Sequence, residues 1–236
     1  MEHFFERTQL LLGEKALAKL QHSHVCIFGI GGVGSFATEA LARSNVGTLT
    51  LVDGDVICPT NINRQIHATT STINMPKVDV MKKRILQINP QAKVITIQEF
   101  YTEHTASDLF FNCDYIIDAV DDIKAKTSIA VKAYQKNVPL ISAMGAANKL
   151  DPTKFEVADI YTTAIDPLAR IMRKNMRAAG IPKLKVVYSK EKPLQPQTKS
   201  DTTIGNDATL LGSVSFVPSV MGLIIAGEVV KELSSA

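Results

Sequence analysis

Residues 25–34 read Val-Cys-Ile-Phe-Gly-Ile-Gly-Gly-Val-Gly and join a short apolar strand to a glycine-rich turn. Glycines at this spacing allow a tight strand-to-helix turn whose backbone comes close to a phosphate group. The helix that follows directs its unpaired N–H groups and the positive end of its dipole at the same anion. The stretch therefore predicts a nucleotide-binding turn formed by Gly29, Gly31, Gly32 and Gly34.

A second apolar strand, Thr48–Val52, follows that helix, and Asp53 comes directly after it. A carboxylate in this position lies at the carboxyl edge of a parallel sheet, where it can accept hydrogen bonds from ribose hydroxyls. Many α/β proteins that bind NAD or FAD share the glycine pattern. Up to this point the sequence favours a dinucleotide.

The loops after Asp53 favour a triphosphate instead. Arg64 and Lys77 lie on successive loops at the same predicted edge. Arginine can bind two phosphate oxygens at once and lysine supplies a point charge, and a dehydrogenase needs no such pair. Other polar residues on these loops complete the predicted nucleotide site: Asp55, Asn61 and Gln65.

Further apolar strands alternate with helices, which predicts an α/β fold with a doubly wound, mostly parallel sheet. The predicted strands are Lys93–Ile97, Tyr115–Val120 and Pro139–Met144, and the predicted helices include residues 78–88, 104–111 and 124–135. Asp118 and Asp121 come at the end of the fourth strand, at the ligand-binding edge. We expect a nucleotide-binding unit over residues 1–150 and an extension over residues 151–236 that completes the sheet.

The extension has a different pattern. It predicts a strand at Phe155–Ile160, a basic helix at Asp166–Ala179, a strand at Val186–Tyr188 and a mobile crossover loop at Lys190–Asp207. The apolar run Phe216–Ala226 is too short to span a bilayer, so we expect a buried helix, placed at a subunit interface, and no membrane association.

The composition fits an ordinary globular chain: of 236 residues, 45% are apolar and 21% are charged, and the net charge is +3. Disorder and fibrous structure are therefore not supported. Three separated cysteines without a CxxC motif can form neither a disulfide framework nor a four-thiolate zinc site. This favours a reducing, cytoplasmic location.

Several motifs occur in a characteristic order: the glycine turn, residues 51–55 (LVDGD), 60–65 (TNINRQ), 76–78 (PKV) and 118–122 (DAVDD). Together they resemble the ATP-dependent adenylating family that includes the ubiquitin-activating enzymes and the thiamine and molybdopterin adenylyltransferases. Among its branches, the chain most resembles the tRNA threonylcarbamoyladenosine dehydratases. Residues 7–8 (RT), 63–68 (NRQIHA), 151–153 (DPT) and 166–169 (DPLA) carry this likeness.

The resemblance implies an enzyme that uses ATP and Mg²⁺ to adenylate the threonylcarbamoyl carboxylate of tRNA, after which an internal amide attacks and AMP leaves. It implies that Asp53 holds the ribose, Arg64 and Lys77 bind the triphosphate, and Asp121 coordinates Mg²⁺. Arg7 matches an arginine that reaches the partner subunit's ATP site, which implies a homodimer. The resemblance also allows a sulfur-transfer or accessory protein as a partner.

Structural roles stay open for several of these residues. Asp53 and Asp121 could cap strand ends, and Asn61 and Gln65 could form turns. Of Asp118 and Asp122, one could bind the backbone and the other could be solvated, and Arg7 could lie on a frayed terminus. His67 could be a general base or a hydrogen-bonded loop residue.

Two rival functions remain. An adenylyltransferase for a ubiquitin-like sulfur carrier shares most motifs but usually carries paired CxxC ligands. An NAD-binding oxidoreductase or sensor would leave Arg64, Lys77 and Asp121 without a role.

Positive charge is concentrated between residues 170 and 192, with a single acid, Glu191. Arg170, Arg173 or Lys174, and Arg177 share one helix face, and we predict that this face follows a tRNA phosphate backbone. The alternative is a solvated helix face. The eight basic residues are Arg170, Arg173, Lys174, Arg177, Lys183, Lys185, Lys190 and Lys192.

Overall fold

A computed structural model describes residues 4–102, 105, 112–195 and 211–235. Its centre is a seven-stranded sheet with the order β3-β2-β1-β4-β5-β7-β6. All neighbouring strands are parallel except β6 and β7, which are antiparallel. The strands are β1 (His24–Phe28), β2 (Thr48–Val52), β3 (Lys93–Ile97), β4 (Tyr115–Asp118), β5 (Leu140–Ala143), β6 (Phe155–Asp159) and β7 (Lys185–Ser189).

Helices connect and cover these strands. They are α1 (Glu6–Leu12), α2 (Glu14–His22), α3 (Gly34–Arg43), α4 (Lys77–Ile88), α5 (Ile123–Gln135), α6 (Pro167–Ala178) and α7 (Phe216–Ser235). The fold class predicted from the sequence is confirmed.

The central strands are buried because helices cover both faces of the sheet, as their almost continuous apolar sequences require. In β4 all four residues are buried, and in β1 only His24 is partly exposed. The register pairs Phe28 with Val52 on one side and with Asp118 on the other. The carboxyl ends of β1, β2 and β4 therefore meet at one edge.

The C-terminal helix α7 packs against α3 at very close range. Gly222 makes this possible, since a Cβ atom there would lie 2.3 Å from the Val33 carbonyl oxygen. Farther toward its N-terminus, Pro218 Cβ lies 3.2 Å from the position that a Cβ of Gly32 would occupy. The extension thus supports the glycine turn from behind.

Most predicted elements match the structure closely, and β2 and β3 have the predicted bounds. Helix α1 was not predicted, and α7 is longer than the predicted run. Nearly all of the helix predicted at residues 104–111 and most of the predicted crossover loop lie outside the described residues. Since β6 and β7 continue the same sheet, the division at residue 150 stays a prediction.

Within the described ranges, no helix combines the length and the apolar character that crossing a bilayer requires.

Candidate active site

The glycine turn lies where β1 and β4 come closest to α3. Gly29 has a φ of +86°, and a Cβ atom there would lie 2.6 Å from the carbonyl oxygen of Ala119. Any other residue would therefore meet both backbone strain and a clash. The ten-residue helix α3 begins at Gly34, so its N-terminus lies directly behind the turn.

Asp53 connects the end of β2 to the glycine turn. Its Oδ2 accepts a 2.6 Å hydrogen bond from the Ile30 N–H, and its Oδ1 accepts one of 2.9 Å from the Asp55 N–H. Burial raises the pKa of Asp53, while the nearby Lys77 charge opposes that rise. The carboxylate thus stands at the predicted edge of the sheet, bonded to the glycine turn.

Lys77, the first residue of α4, brings a buried positive charge to the same place. Its Nζ lies 2.6 Å from Asp55 Oδ2 and 3.9 Å from Asp53 Oδ2. The Lys77 side chain is almost fully buried, whereas that of Asp55 is half exposed. The two carboxylates therefore hold the ammonium group at the edge of the sheet.

Arg64 lies beside the glycine turn, since its Cγ is 3.4 Å from the position that a Cβ of Gly32 would occupy. Its guanidinium donates to the Thr60 carbonyl oxygen at 2.8 Å and to Asn63 Oδ1 at 2.9 Å. These are bonds within one exposed loop. The structure thus brings Arg64, Lys77 and Asp53 around one turn, as the sequence predicted.

The buried residues of this loop have two kinds of environment. Asn61 Oδ1 accepts a 3.0 Å hydrogen bond from the Cys58 N–H, so Asn61 stabilises a turn of the loop, which is the structural role left open by the sequence. Gln65 Oε1 and both ring nitrogens of His67 are buried and have no hydrogen-bond partner in the described part of the chain. Burial, with the Lys77 and Arg84 charges, lowers the pKa of His67 to about 4. His67 is therefore neutral at pH 7.

The acid that ends β4 and the two acids in the turn after it have distinct surroundings. Asp118 is fully buried and binds Lys126 and Ser142, so its burial disfavours the predicted direct contact with a nucleotide. Asp122 caps α5 by accepting the Ala125 N–H at 2.7 Å. Asp121 is exposed, two residues after the Ala119 carbonyl that contacts the glycine turn.

A single exposed carboxylate cannot by itself hold a cation. Across the described ranges, no group of three or more His, Cys, Asp or Glu side chains could hold a metal ion. Asp121 nevertheless fits Mg²⁺, which is commonly bound by one or two carboxylates with water and substrate phosphates.

Phe100 was not predicted to lie at the candidate site, although the structure places it there. It follows β3, is 68% exposed, and its ring and backbone N lie 2.7 Å from the position that a Cβ of Gly54 would occupy. The adjacent Tyr101 anchors it, because the Tyr101 ring packs edge-to-face on Phe28 at 5.2 Å. The available signal was an aromatic pair three residues after the end of β3, on the loop at the carboxyl edge of the sheet.

Arg7 lies on the exposed side of α1, next to two leucines that are also exposed: Leu10 is 82% and Leu11 84% exposed. Phe4 before the helix is exposed as well. The helix packs against α2 and contributes no buried residue to the core.

The predicted basic stripe on α6 needs correction. The guanidinium of Arg173 is half-buried and donates to the Thr163 carbonyl at 2.6 Å and the Ile160 carbonyl at 3.3 Å, so it is bound within the chain. The exposed stripe is instead Arg170, Lys174 and Arg177.

Two other members of the basic segment are paired with acids, Lys185 with Glu232 and Lys190 with Glu156. Arg177 also lies over the Tyr161 ring, with its Cζ 5.5 Å from the centroid. The net positive charge of this surface is thus smaller than the sequence indicated.

Known proteins with similar sequences and structures include one crystallised in complex with ATP, consistent with a nucleotide site at this edge of the sheet. The ThiF family model matches residues 5–236. The tRNA threonylcarbamoyladenosine dehydratase of Bacillus subtilis is 46% identical over 242 residues, which cover 99% of this chain and 95% of that protein. The sulfur carrier protein ThiS adenylyltransferase of Escherichia coli is 36% identical over 138 residues, covering only 57% of this chain and 55% of that protein.

Crystal structures of the Escherichia coli tRNA N6-threonylcarbamoyladenosine dehydratase TcdA, in complex with ATP and with AMP, match with TM-scores of 0.88 and 0.87 and identities of 33% and 34%. Each match covers 98% of this chain, with 93% and 94% of the respective TcdA chains. The chain therefore belongs to the ThiF family, in the branch of the tRNA threonylcarbamoyladenosine dehydratases.

Proposed function

We propose that this chain is an ATP-dependent dehydratase acting on threonylcarbamoyladenosine in tRNA. A carboxylate oxygen of the substrate attacks the α-phosphorus of ATP, and pyrophosphate leaves. The carbamoyl amide of the same substrate then attacks the acyl carbon, loses a proton and expels AMP, which carries away the carboxylate oxygen. The ring that closes has lost the atoms of one water molecule.

The observation that carries the proposal is the gathering of Asp53, Arg64 and Lys77 around the glycine turn, in a chain whose full length matches the dehydratases. Charge neutralisation and positioning account for most of the rate of such chemistry, because both partners of the second step belong to one substrate. A nucleophilic cysteine is not required.

Each charged residue then has a role. Asp53 accepts from the ribose hydroxyls, and Arg64 and Lys77 exchange part of their contacts within the chain for phosphate oxygens. The carboxylates that hold Lys77 keep its charge in place before the nucleotide arrives. Asp121 holds Mg²⁺, which neutralises phosphate charge when bound.

Phe100 contacts the base in this proposal. It touches Gly54, the residue after Asp53, so a base attached to a ribose at Asp53 comes within reach of its exposed ring. Stacking on an aromatic ring is worth about 1–3 kcal/mol per base in proteins that bind single strands. Replacement of Phe100 by Ala should therefore raise the Kd for ATP.

The active unit is a homodimer, in which Arg7 of one subunit reaches the ATP site of the other. Support comes from α1, where Arg7 stands beside the exposed Leu10 and Leu11. Apolar side chains exposed to this degree favour burial against another surface. A second copy of the chain would cover them and insert the arginine.

The tRNA binds along the exposed face of α6 that carries Arg170, Lys174 and Arg177. Their spacing along α6 places the three side chains on one side of the helix. Positive charges arranged in this way bind the phosphates of the tRNA backbone whatever the bases are. A sulfur-transfer or accessory partner stays a prediction. The three free cysteines and the tRNA substrate support a cytoplasmic location.

The rival functions have less support. The sulfur-carrier adenylyltransferase covers little more than half of this chain, and the paired CxxC motifs usual in such enzymes are missing from the sequence. An NAD oxidoreductase would not need Arg64 and Lys77.

A thermal-shift panel tests the nucleotide class. ATP with Mg²⁺ should raise the unfolding midpoint, because a ligand that binds only the folded state stabilises it by mass action. NAD should leave the midpoint unchanged. A shift with NAD and none with ATP would overturn the proposal.

A further inference from the structure

A charged cluster lies fully buried beneath the edge that carries the candidate active site. Lys126 Nζ lies 2.9 Å from Asp118 Oδ2 and 3.3 Å from Ser142 Oγ, and the Ser142 hydroxyl donates to the same carboxylate oxygen at 2.5 Å. All three side chains have 0% exposure. The cluster joins the ends of β4 and β5 to α5.

Stability alone does not explain a buried ion pair. Removing two charges from water costs several kcal/mol, and well-packed apolar residues of similar volume often stabilise a protein as well or better. The useful property of the pair is its fixed geometry, since Asp118 accepts three hydrogen bonds. The third comes from the Val120 N–H at 3.3 Å.

Asp118 and Lys126 lie on either side of one short segment, the turn 119–122 between β4 and α5. Ala119 donates to the Phe28 carbonyl at 2.8 Å, and its own carbonyl faces Gly29 at the start of the phosphate-binding turn. At the other end, Asp122 caps α5, one turn before Lys126. The exposed Asp121 lies between these two fixed points.

We propose that Lys126 is a positioning residue for ATP binding, which it supports by fixing Asp118 and, through it, the turn 119–122 against Gly29. This inference rests on the proposed use of ATP. Lys126 does not contact the nucleotide, because its side chain is fully buried. Its role is to hold the backbone that carries Asp121 and lines the glycine turn.

A double substitution separates positioning from stability. Lys126→Met alone leaves a buried carboxylate without its cation and should destabilise the fold. Asp118→Asn with Lys126→Met removes both charges and keeps an amide that can bind Ser142, so this variant should unfold near the wild-type temperature. Its Kd for ATP, measured by calorimetry without tRNA, should rise roughly 10- to 100-fold, the range known for residues that support metal ligands from behind.

Hydrogen exchange gives a readout that does not depend on nucleotide. The amides of residues 119–122 should exchange faster in the double variant, while those of the distant β3 keep their rates. A folded double variant with wild-type ATP affinity and unchanged exchange at 119–122 would overturn the inference. If the wild-type protein itself binds no ATP, the proposed function fails instead.

The chain offers a matched control. Lys149 and Asp166 form another buried pair, with Nζ 3.6 Å from Oδ2, between the loop after β5 and the N-terminus of α6. Lys149→Met with Asp166→Asn removes charges of the same kind elsewhere. This control should leave the Kd for ATP within about twofold of wild type, since Asp166 caps α6 and Lys149 donates to the Gly145 carbonyl, away from the turn 119–122. An equal loss of ATP affinity in both double variants would contradict a specific role for Lys126.

Discussion

Lys77 Nζ lies 2.6 Å from the carboxylate of Asp55, so the cation proposed to bind phosphate is held at the edge of the sheet by an acid of the loop after β2. The ion pair joins the start of α4 to the loop after Asp53. A backbone bond from the Lys77 N–H to the Asp55 carbonyl, 3.1 Å long, strengthens this connection. The position of the charge is thus determined before any ligand binds.

Removal of either candidate phosphate ligand should slow AMP formation. Lys77→Ala and Arg64→Ala each delete one charge-assisted contact, and a loss of roughly 10²–10³-fold in kcat is expected if the contact strengthens in the transition state. Formation of AMP in the presence of substrate tRNA is the measurement. Lys83→Ala, on an exposed position of the same helix as Lys77, should retain wild-type turnover. Near-wild-type rates in a folded Lys77 or Arg64 variant would exclude the assigned roles.

Arg7 can be tested by mixing subunits. Arg7→Ala and Lys77→Ala proteins should each be inactive, whereas an exchanged mixture should recover about a quarter of wild-type activity, because half of the dimers then contain one complete site. Mass spectrometry of the intact dimers confirms subunit exchange. Exchange without any recovery would mean that Arg7 does not act across subunits.

If tRNA binds to the exposed face of α6, charge reversal on that face should change how tRNA affinity depends on salt. Arg170→Glu with Lys174→Glu should weaken tRNA binding and reduce the slope of log affinity against log salt by about one unit per lost phosphate contact. The Kd for ATP should not change. Lys83→Glu with Lys93→Glu adds the same charge near β3, at the other end of the sheet from α6, and should preserve the slope. Equal slopes in wild type and the α6 variant would exclude this surface.

The low pKa of His67 should make the free energy of unfolding depend on pH. Its pKa is 6.5 when unfolded and about 4 in the folded chain, so the unfolded state binds more protons between these values. The free energy of unfolding should therefore fall as the pH drops from 6.5 toward 4, with a loss of up to roughly 3 kcal/mol at the lower end. Urea unfolding at several pH values measures this fall. His67→Leu should show a shallower fall, and an identical pH dependence in both proteins would contradict a neutral, buried His67.

The sequence predicted much of the fold because the relevant signals are local. The glycine turn, the strand-end acids and the apolar runs identify the sheet edge on which Asp53, Arg64 and Lys77 gather. Long-range contacts left no such signal: nothing near Arg173 in the sequence indicates that Thr163 and Ile160 bind its guanidinium. The burial of Asp118 with Lys126 depends on β5 and α5 packing together, and the position of Phe100 depends on its contact with Gly54 and on the packing of Tyr101 against Phe28.

Conversion of tRNA-bound threonylcarbamoyladenosine by the purified chain would show whether this protein is an ATP-dependent dehydratase. The protein is incubated with ATP, Mg²⁺ and tRNA carrying this nucleoside, and the released AMP and the digested nucleosides are quantified by mass spectrometry. We expect one AMP for each nucleoside that has lost the elements of water, and no AMP with tRNA that lacks the modification. AMP formation that depends instead on a ubiquitin-like sulfur carrier, or ATP turnover without dehydrated nucleoside, would contradict the proposed dehydratase activity.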